Sequence, residues 1–172
     1  DAAQTIYFPF YSGHKEVPHE MAAGNGDLHT FSWTSAFWIH NWVSNMVYTR
    51  YSDMSEDMKM VQSKLESSFA AQQPQIEERA LALHNQSSEE AVQFLNGYTN
   101  MLVEEGMAEW KKLGEYLMVK YVDGVIKPEV NGEFKKNQYG QPANPIRPGY
   151  SNEYYQRIID QTGDKYKVIP VE

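Results

Sequence analysis

The chain has 172 residues, 23 acidic against 15 basic side chains, 41% apolar and 13% aromatic residues, and no cysteine. Without Cys these residues can form no disulfide, thiolate metal site or cysteine nucleophile, so packing must hold the fold together. A net charge of −8, with no basic run longer than Lys111–Lys112 or Lys135–Lys136, argues against nucleic acid as a partner, and no apolar run reaches the roughly 18 to 20 residues of a membrane span.

The opening Asp1-Ala2-Ala3-Gln4 carries neither an initiator Met nor a signal-peptide pattern and reads as the start of a processed or excised piece. Residues 4–11 are β-branched and aromatic and stop at Ser12-Gly13, which predicts one short strand, with Pro9 confining it to an edge, a bulge or the strand's end. Residues 14–30 hold glycines, histidines and a proline without period and read as a loop. From Phe31 the period becomes helical, with Ser32 or Thr34 as N-cap. Trp38, Trp42 and Met46 line one edge, and Ile39, Val43 and Val47 the next, so this helix is expected to be central.

Asp53-Met54-Ser55-Glu56 has capping-box form and predicts a second helix carrying Met58, Val61, Leu65 and Phe69. Pro74 is placed as the first residue of a third, with Ile76, Ala80 and Leu83. Ser87-Ser88-Glu89-Glu90 starts a further periodic run of about thirty residues, which Gly97, Gly106 and Gly114 can bend. The helical region is thus 31–127, followed by a loop over 128–150 with a short hairpin near Val125–Ile126 and Phe134. Ser151 or Asn152 caps a last helix holding Tyr154, Tyr155, Ile158 and Ile159 and ending at Gly163, within a final segment 151–172. The fold class is mainly α with one N-terminal strand over 1–13. A lone strand cannot satisfy its own backbone, so it is expected to complete a sheet supplied by other polypeptide.

Few residues suggest chemistry. No two of His14, His19, His29, His40 and His84 stand at i, i+4 within a helix, as a zinc site would want, and Glu16-Val17-Pro18-His19 falls in a loop, so no metal or cofactor is expected. His40 reads as a hydrogen-bonded core or interface histidine. The pairs Glu77–Glu78, Glu89–Glu90 and Glu104–Glu105 point about 100° apart on a helix, which makes them solvated or capping residues rather than acid/base dyads. No nucleophile elbow or phosphate loop follows a strand. Eleven of the 23 aromatic residues lie in the first 51 positions, as a core, a pocket wall or a docking face.

The order Thr5-Ile6-Tyr7-Phe8-Pro9-Phe10-Tyr11-Ser12-Gly13, Glu16-Val17-Pro18, Ser35-Ala36-Phe37-Trp38, Asn41-Trp42-Val43-Ser44-Asn45 and Tyr51-Ser52-Asp53-Met54 resembles the C-terminal third of bacterial N-terminal-nucleophile cysteine dipeptidases of the dipeptidase A-like family. The likeness covers about the first 55 residues; beyond them it rests on helix order, Gly149-Tyr150 and Thr162-Gly163-Asp164. It implies the C-terminal helical part of an αββα hydrolase that cleaves small dipeptides. In that chemistry the nucleophile is a cysteine thiol freed at the chain's own N-terminus, and the adjacent α-amino group, with a pKa near 8, acts as general base. Residue 1 here is Asp and no Cys exists, so no catalytic residue carries over and the 172 residues alone are expected to be inactive. The implied partners are the N-terminal portion of the same protein and a dipeptide, with oligomerisation left open. Tyr11 and His14, where the matched segment leaves the sheet, are the substrate-facing candidates, and His14 departs from the aliphatic residue expected there. The rival reading is a stand-alone helical binding or interaction module that uses the aromatic face of residues 31–51.

Overall fold

The structure, a computed structural model, describes residues 5–11, 13 and 17–166, and divides into two compact units, Asp1–Val119 and Lys120–Glu172. It is mostly helical, as the apolar periodicity predicts.

The first unit is built from a four-residue turn α1 (His19–Ala22) and three longer helices, α2 (Ala36–Thr49), α3 (Tyr51–His84) and α4 (Ser88–Lys120). α2 starts five residues later than its periodicity suggests. Ser32 and Thr34 bond to each other and to Asn25 instead of capping: Thr34 N–H donates to Ser32 Oγ at 3.1 Å, and Asn25 N–H to Thr34 Oγ1 at 2.8 Å. Such side-chain bonds offer the backbone a turn in place of a helix. Of the two apolar edges of α2, Ile39, Val43 and Val47 are buried, whereas Phe37 and Tyr48 on other faces are exposed. The helix is therefore central on one side.

One residue, Arg50 (φ −152°, ψ 63°), separates α2 from α3. The capping box expected at Asp53 does not form. Asp53 lies inside the first turn and accepts from Arg50 Nε at 2.5 Å, where its negative charge still favours the helix N-terminus. The helix break expected at Pro74 is also absent, since α3 runs for 34 residues through it. Pro74 removes one N–H, which would have served the carbonyl of Ala70, and both residues are exposed, so water can satisfy that carbonyl. The flanking Gln, Glu, Ala and Leu residues are good helix formers and carry the chain across.

Ser87 caps α4 as its sequence suggests, accepting from Glu90 N–H at 3.3 Å. The glycines do not interrupt this 33-residue helix. Gly114 instead lets the Trp42 ring lie against its backbone, in space that a Cβ would occupy. Trp42 in turn meets Trp33 edge to face at 4.9 Å, and Trp110 of α4 stacks on His40 of α2 at 5.4 Å. Phe69 and Met58 of α3 and Leu102, Trp110 and Leu117 of α4 complete the core with Ile39, Val43 and Val47.

The strand expected over residues 1–13 is not formed by Thr5–Tyr11. This stretch finds its partners on helices. Gln62 Nε2 of α3 donates to Thr5 O at 2.5 Å, Tyr7 N–H donates to Glu66 Oε1 at 3.0 Å, and Tyr11 OH donates to Glu77 Oε1 at 3.4 Å. On α4, Ile6 lies against Gly106, and Gly13 lies beside Val92. Six residues of extended chain cover about 20 Å, close to the roughly 22 Å spanned by the 15 helical residues from Gln62 to Glu77. The segment thus runs along the seam of the α3–α4 hairpin, where side-chain amides and carboxylates replace ladder partners.

The second unit, described by itself, contains a 3₁₀ turn at Val122–Gly124, a hairpin of β1 (Glu129–Val130) and β2 (Glu133–Phe134), and α5 (Asn152–Thr162) followed by a 3₁₀ turn at Gly163–Tyr166. The second strand of the hairpin holds Phe134 as expected, whereas the first lies a few residues after Val125–Ile126. Its turn is Asn131-Gly132, both at positive φ (53° and 81°), the pair that a two-residue I′ connection requires, and Ile126 bridges Ile146 instead. Lys120 Nζ and Glu129 Oε2 make an ion pair at 2.9 Å that is largely screened from solvent. α5 is capped by Ser151, whose Oγ accepts from Tyr154 N–H at 3.3 Å, and ends at Gly163 with φ 54°. Among the described residues, no helix is long and apolar enough to cross a membrane.

Candidate functional site

Of the two residues singled out from sequence, Tyr11 is half-buried against α3, and His14 lies outside the described residues. Burial pushes the Tyr11 phenol up from its ordinary value, helped by the charge of Glu77 and the hydrogen bond to it. A phenol held in its protonated form donates to a carboxylate, which is a structural tie of the N-terminal segment to α3. Tyr98 on α4 is likewise pushed up, by burial and then by the charge of Glu105. Among the described residues no three His, Asp or Glu side chains gather as a metal-binding group would require.

A concavity lies elsewhere in the first unit. A cavity of about 320 Å³ opens between residues 5–8, Met21 of α1, the start of α2 and the middle of α4. Its wall is mainly apolar, with Ile6, Phe8, Phe37, Leu102 and Met107, and Gly106 leaves room in it by contributing no side chain. His40 and Asn41 are its polar members from α2. Among the described residues, no Lys, Arg, Asp or Glu lines it.

His40 is set by its own helix. Its Nδ1 lies 2.7 Å from the carbonyl of Ala36, one turn back. Since a carbonyl only accepts, Nδ1 carries the proton and donates. Burial lowers the imidazole pKa, opposed by the Ala36 bond, so at neutral pH the ring is uncharged and Nε2 presents a lone pair. That lone pair is buried and has no hydrogen-bond donor among the described residues. Ser44 Oγ, one turn further along the same face, and Trp110 Nε1, on the ring stacked against His40, are also buried without partners. A polar strip therefore runs down the seam between α2 and α4. Asn41 uses its Nδ2 to donate to Phe37 O at 2.7 Å, which leaves its Oδ1 as a second acceptor near the cavity.

The expectation for His40, a hydrogen-bonded core or interface histidine, agrees in its hydrogen bond with the contact to Ala36. The cavity beside it has no local signature in the sequence, because its walls come from segments about a hundred positions apart. Gly106 within an apolar helical run is the one trace it leaves.

The cluster Phe31, Trp33, Phe37 and Trp38 forms a second surface. Phe31 and Trp33 meet edge to face at 4.7 Å and Phe37 and Trp38 at 5.2 Å, while Phe31, Trp33 and Phe37 each remain nearly half exposed. Trp38 Nε1 donates to Asp27 O at 2.9 Å, and Lys111 Nζ stands 5.0 Å from the centre of a Trp33 ring. No family model, curated protein or solved structure matches this chain.

Proposed function

We propose that this chain is the helical, non-nucleophile portion of an N-terminal-nucleophile cysteine dipeptidase. The observation that carries the reading on the structural side is the partly uncovered aromatic array of Phe31, Trp33 and Phe37. Adjacent exposed rings of this kind are what a surface made to be covered by further polypeptide presents. The segment order over the first 55 or so residues supplies the chemical identity of that polypeptide. It would carry the cysteine whose thiolate attacks the dipeptide carbonyl, the α-amino group that takes the thiol proton, and the donors that receive the oxyanion. The role of the present residues is then to seat and shield that centre, with Tyr11 and His14 as its nearest contributors.

The test compares two proteins in a ninhydrin or coupled assay of amino acids released from dipeptides. The 172-residue chain is expected to be inactive. The product of the longer reading frame is expected to be active, and to lose activity when its N-terminal Cys is replaced by Ala. A longer frame with no cysteine exposed by processing, or one whose product leaves dipeptides intact, refutes the reading. A second reading, a self-standing helical interaction module, is favoured by the buried core of the first unit, built from Phe69, Leu102, Trp110 and Leu117 without further chain. It predicts a monodisperse, cooperatively melting protein and a catalytically silent longer product.

A further inference from the structure

Asn-Gly occurs three times in the chain, at Asn25-Gly26, Asn96-Gly97 and Asn131-Gly132. The dipeptide is chemically labile because glycine has no Cβ to shield its backbone nitrogen, which can reach the side-chain carbonyl of the preceding asparagine. Reaction needs two freedoms. The Asn side chain must swing onto that nitrogen, and the nitrogen must not be spent on a hydrogen bond.

The fold grants these freedoms unequally. At Asn25 both are withheld: Gly26 N–H donates to Ala23 O at 3.2 Å, Asn25 N–H donates to Thr34 Oγ1 at 2.8 Å, and Asn25 Oδ1 lies 3.1 Å from His19 Nε2. Asn96 stands inside α4, where Gly97 N–H belongs to the helical ladder and Asn96 Oδ1 is buried. Asn131 differs from both. It and Gly132 are exposed at the tip of the β1–β2 hairpin, and among the described residues neither the Asn131 side chain nor Gly132 N–H makes a hydrogen bond. The space around Gly132 is open, with nothing within 4 Å of the position a Cβ would take. The strands behind the turn have two residues each, so the turn opens readily and lets the Asn131 backbone leave its left-handed conformation for the reactive one.

We propose that Asn131 is a site of self-modification. Gly132 N attacks Asn131 Cγ, the new N–Cγ bond closes a five-membered imide, and the Gly132 amide proton leaves with the side-chain nitrogen as ammonia. Water then adds to either carbonyl of the imide. One opening gives aspartate at position 131, the other an isoaspartate whose main chain runs through the side-chain carboxyl. Either product adds a negative charge to a tip flanked by Glu129 and Glu133, and the isoaspartate lengthens the connection by one bond, which the two-residue turn pairing Val130 with Glu133 cannot absorb.

The test incubates the 172-residue chain at mildly alkaline pH, folded and in guanidinium chloride, and follows each site by peptide mapping. Trypsin releases Tyr121–Lys135, since Pro128 protects Lys127, and fragment ions place the mass gain of an amide-to-acid change on Asn131. In the folded chain Asn131 is expected to react at least about tenfold faster than Asn25 or Asn96, the factor for one or two hydrogen bonds that must first break at those sites. In guanidinium chloride the three sites share one chemistry and the lead is expected to vanish, the more so because Val130 before Asn131 is bulkier than Gly24 before Asn25. Asn25 or Asn96 keeping pace with Asn131 in the folded chain, no reaction at Asn131, or an unchanged lead in the unfolded chain would each overturn the proposal. Its failure leaves the dipeptidase reading standing, because that reading turns on a cysteine outside these residues.

Discussion

The same substitution, Gly to Ala, is expected to have opposite effects at two positions of α4. At Gly97 a new Cβ meets nothing within 4 Å, and the residue is exposed in mid-helix. There Gly→Ala gains about 0.8 kcal/mol, the difference in helix propensity. At Gly114 the Cβ would stand 2.1 Å from Trp42 Cζ3, more than 1 Å inside ordinary contact, and Trp42 cannot swing away without leaving its edge-to-face partner Trp33. Overpacking of this kind costs about 1 to 3 kcal/mol, so after the propensity gain Gly114→Ala is expected to be destabilised by up to about 2 kcal/mol. Gly106→Ala falls between, because its Cβ would press Ile6 Cδ1 at 3.3 Å, and is expected to be near neutral. The assay is urea denaturation followed by tryptophan fluorescence. The chain has four tryptophans, Trp33, Trp38, Trp42 and Trp110, all in the first unit, so the signal reports that unit alone. A cycle with Trp42→Ala separates the mechanisms: in the Trp42→Ala background, Gly114→Ala should recover the gain seen at Gly97. Gly97→Ala and Gly114→Ala shifting stability equally, or Gly114→Ala remaining as costly without Trp42, would show that the glycine is not there to admit the indole ring.

The remaining predictions concern local devices. Pro74→Ala restores the N–H that α3 lacks at an exposed position and is expected to raise the urea midpoint by an amount equivalent to about 1 to 3 kcal/mol; an unchanged midpoint would mean the helix is already bent to accommodate proline. Ser87→Ala removes the acceptor for Glu90 N–H, and a loss of about 1 kcal/mol by the same fluorescence assay is expected, with no loss counting against the cap. For His40 the sign follows from its lowered pKa. The unfolded chain takes up a proton near the ordinary value of 6.5, while the buried ring in the folded chain resists, so its contribution to stability is full above that pH and declines as pH falls below it. His40→Gln should therefore flatten the fall in stability between pH 7 and pH 5, and a variant with the parent's slope would refute a neutral buried imidazole.

Much of the helical frame is legible in the sequence because its signals are local. Ser87 and Ser151 stand before helices whose first turns they cap, and Ile39, Val43 and Val47 mark the buried edge of α2 by spacing alone. The misreadings arise where a local signal competes with something it cannot see. Pro74 is a strong helix-start signal, but the residues on both sides favour helix and the position faces water, so α3 continues. Asp53 has the form of a cap, yet Arg50 three residues earlier claims its carboxylate. The N-terminal stretch has strand composition, but composition cannot tell a sheet partner from the side chains of Gln62, Glu66 and Glu77. The hairpin's second strand holds Phe134 as its sequence suggests, but its first is set by the Asn131-Gly132 turn and so lies beyond the apolar pair Val125–Ile126. The cavity by His40 depends on four segments meeting and has no sequence pattern of its own.

The seating of the Thr5–Tyr11 stretch along the α3–α4 seam also orders events in time. Its hydrogen bonds span 57, 59 and 66 positions, and Ile6 meets Gly106 a hundred positions on. Loop closure over such distances is slow compared with helix formation, so the hairpin must exist before the segment has anywhere to dock. On a ribosome adding about 5 to 20 residues per second, these aromatic residues would emerge at least several seconds before their seat is made. This stretch is then made before its seat and placed after it, and during that interval Tyr7, Phe8 and Phe10 are side chains a chaperone or a neighbouring nascent chain would meet.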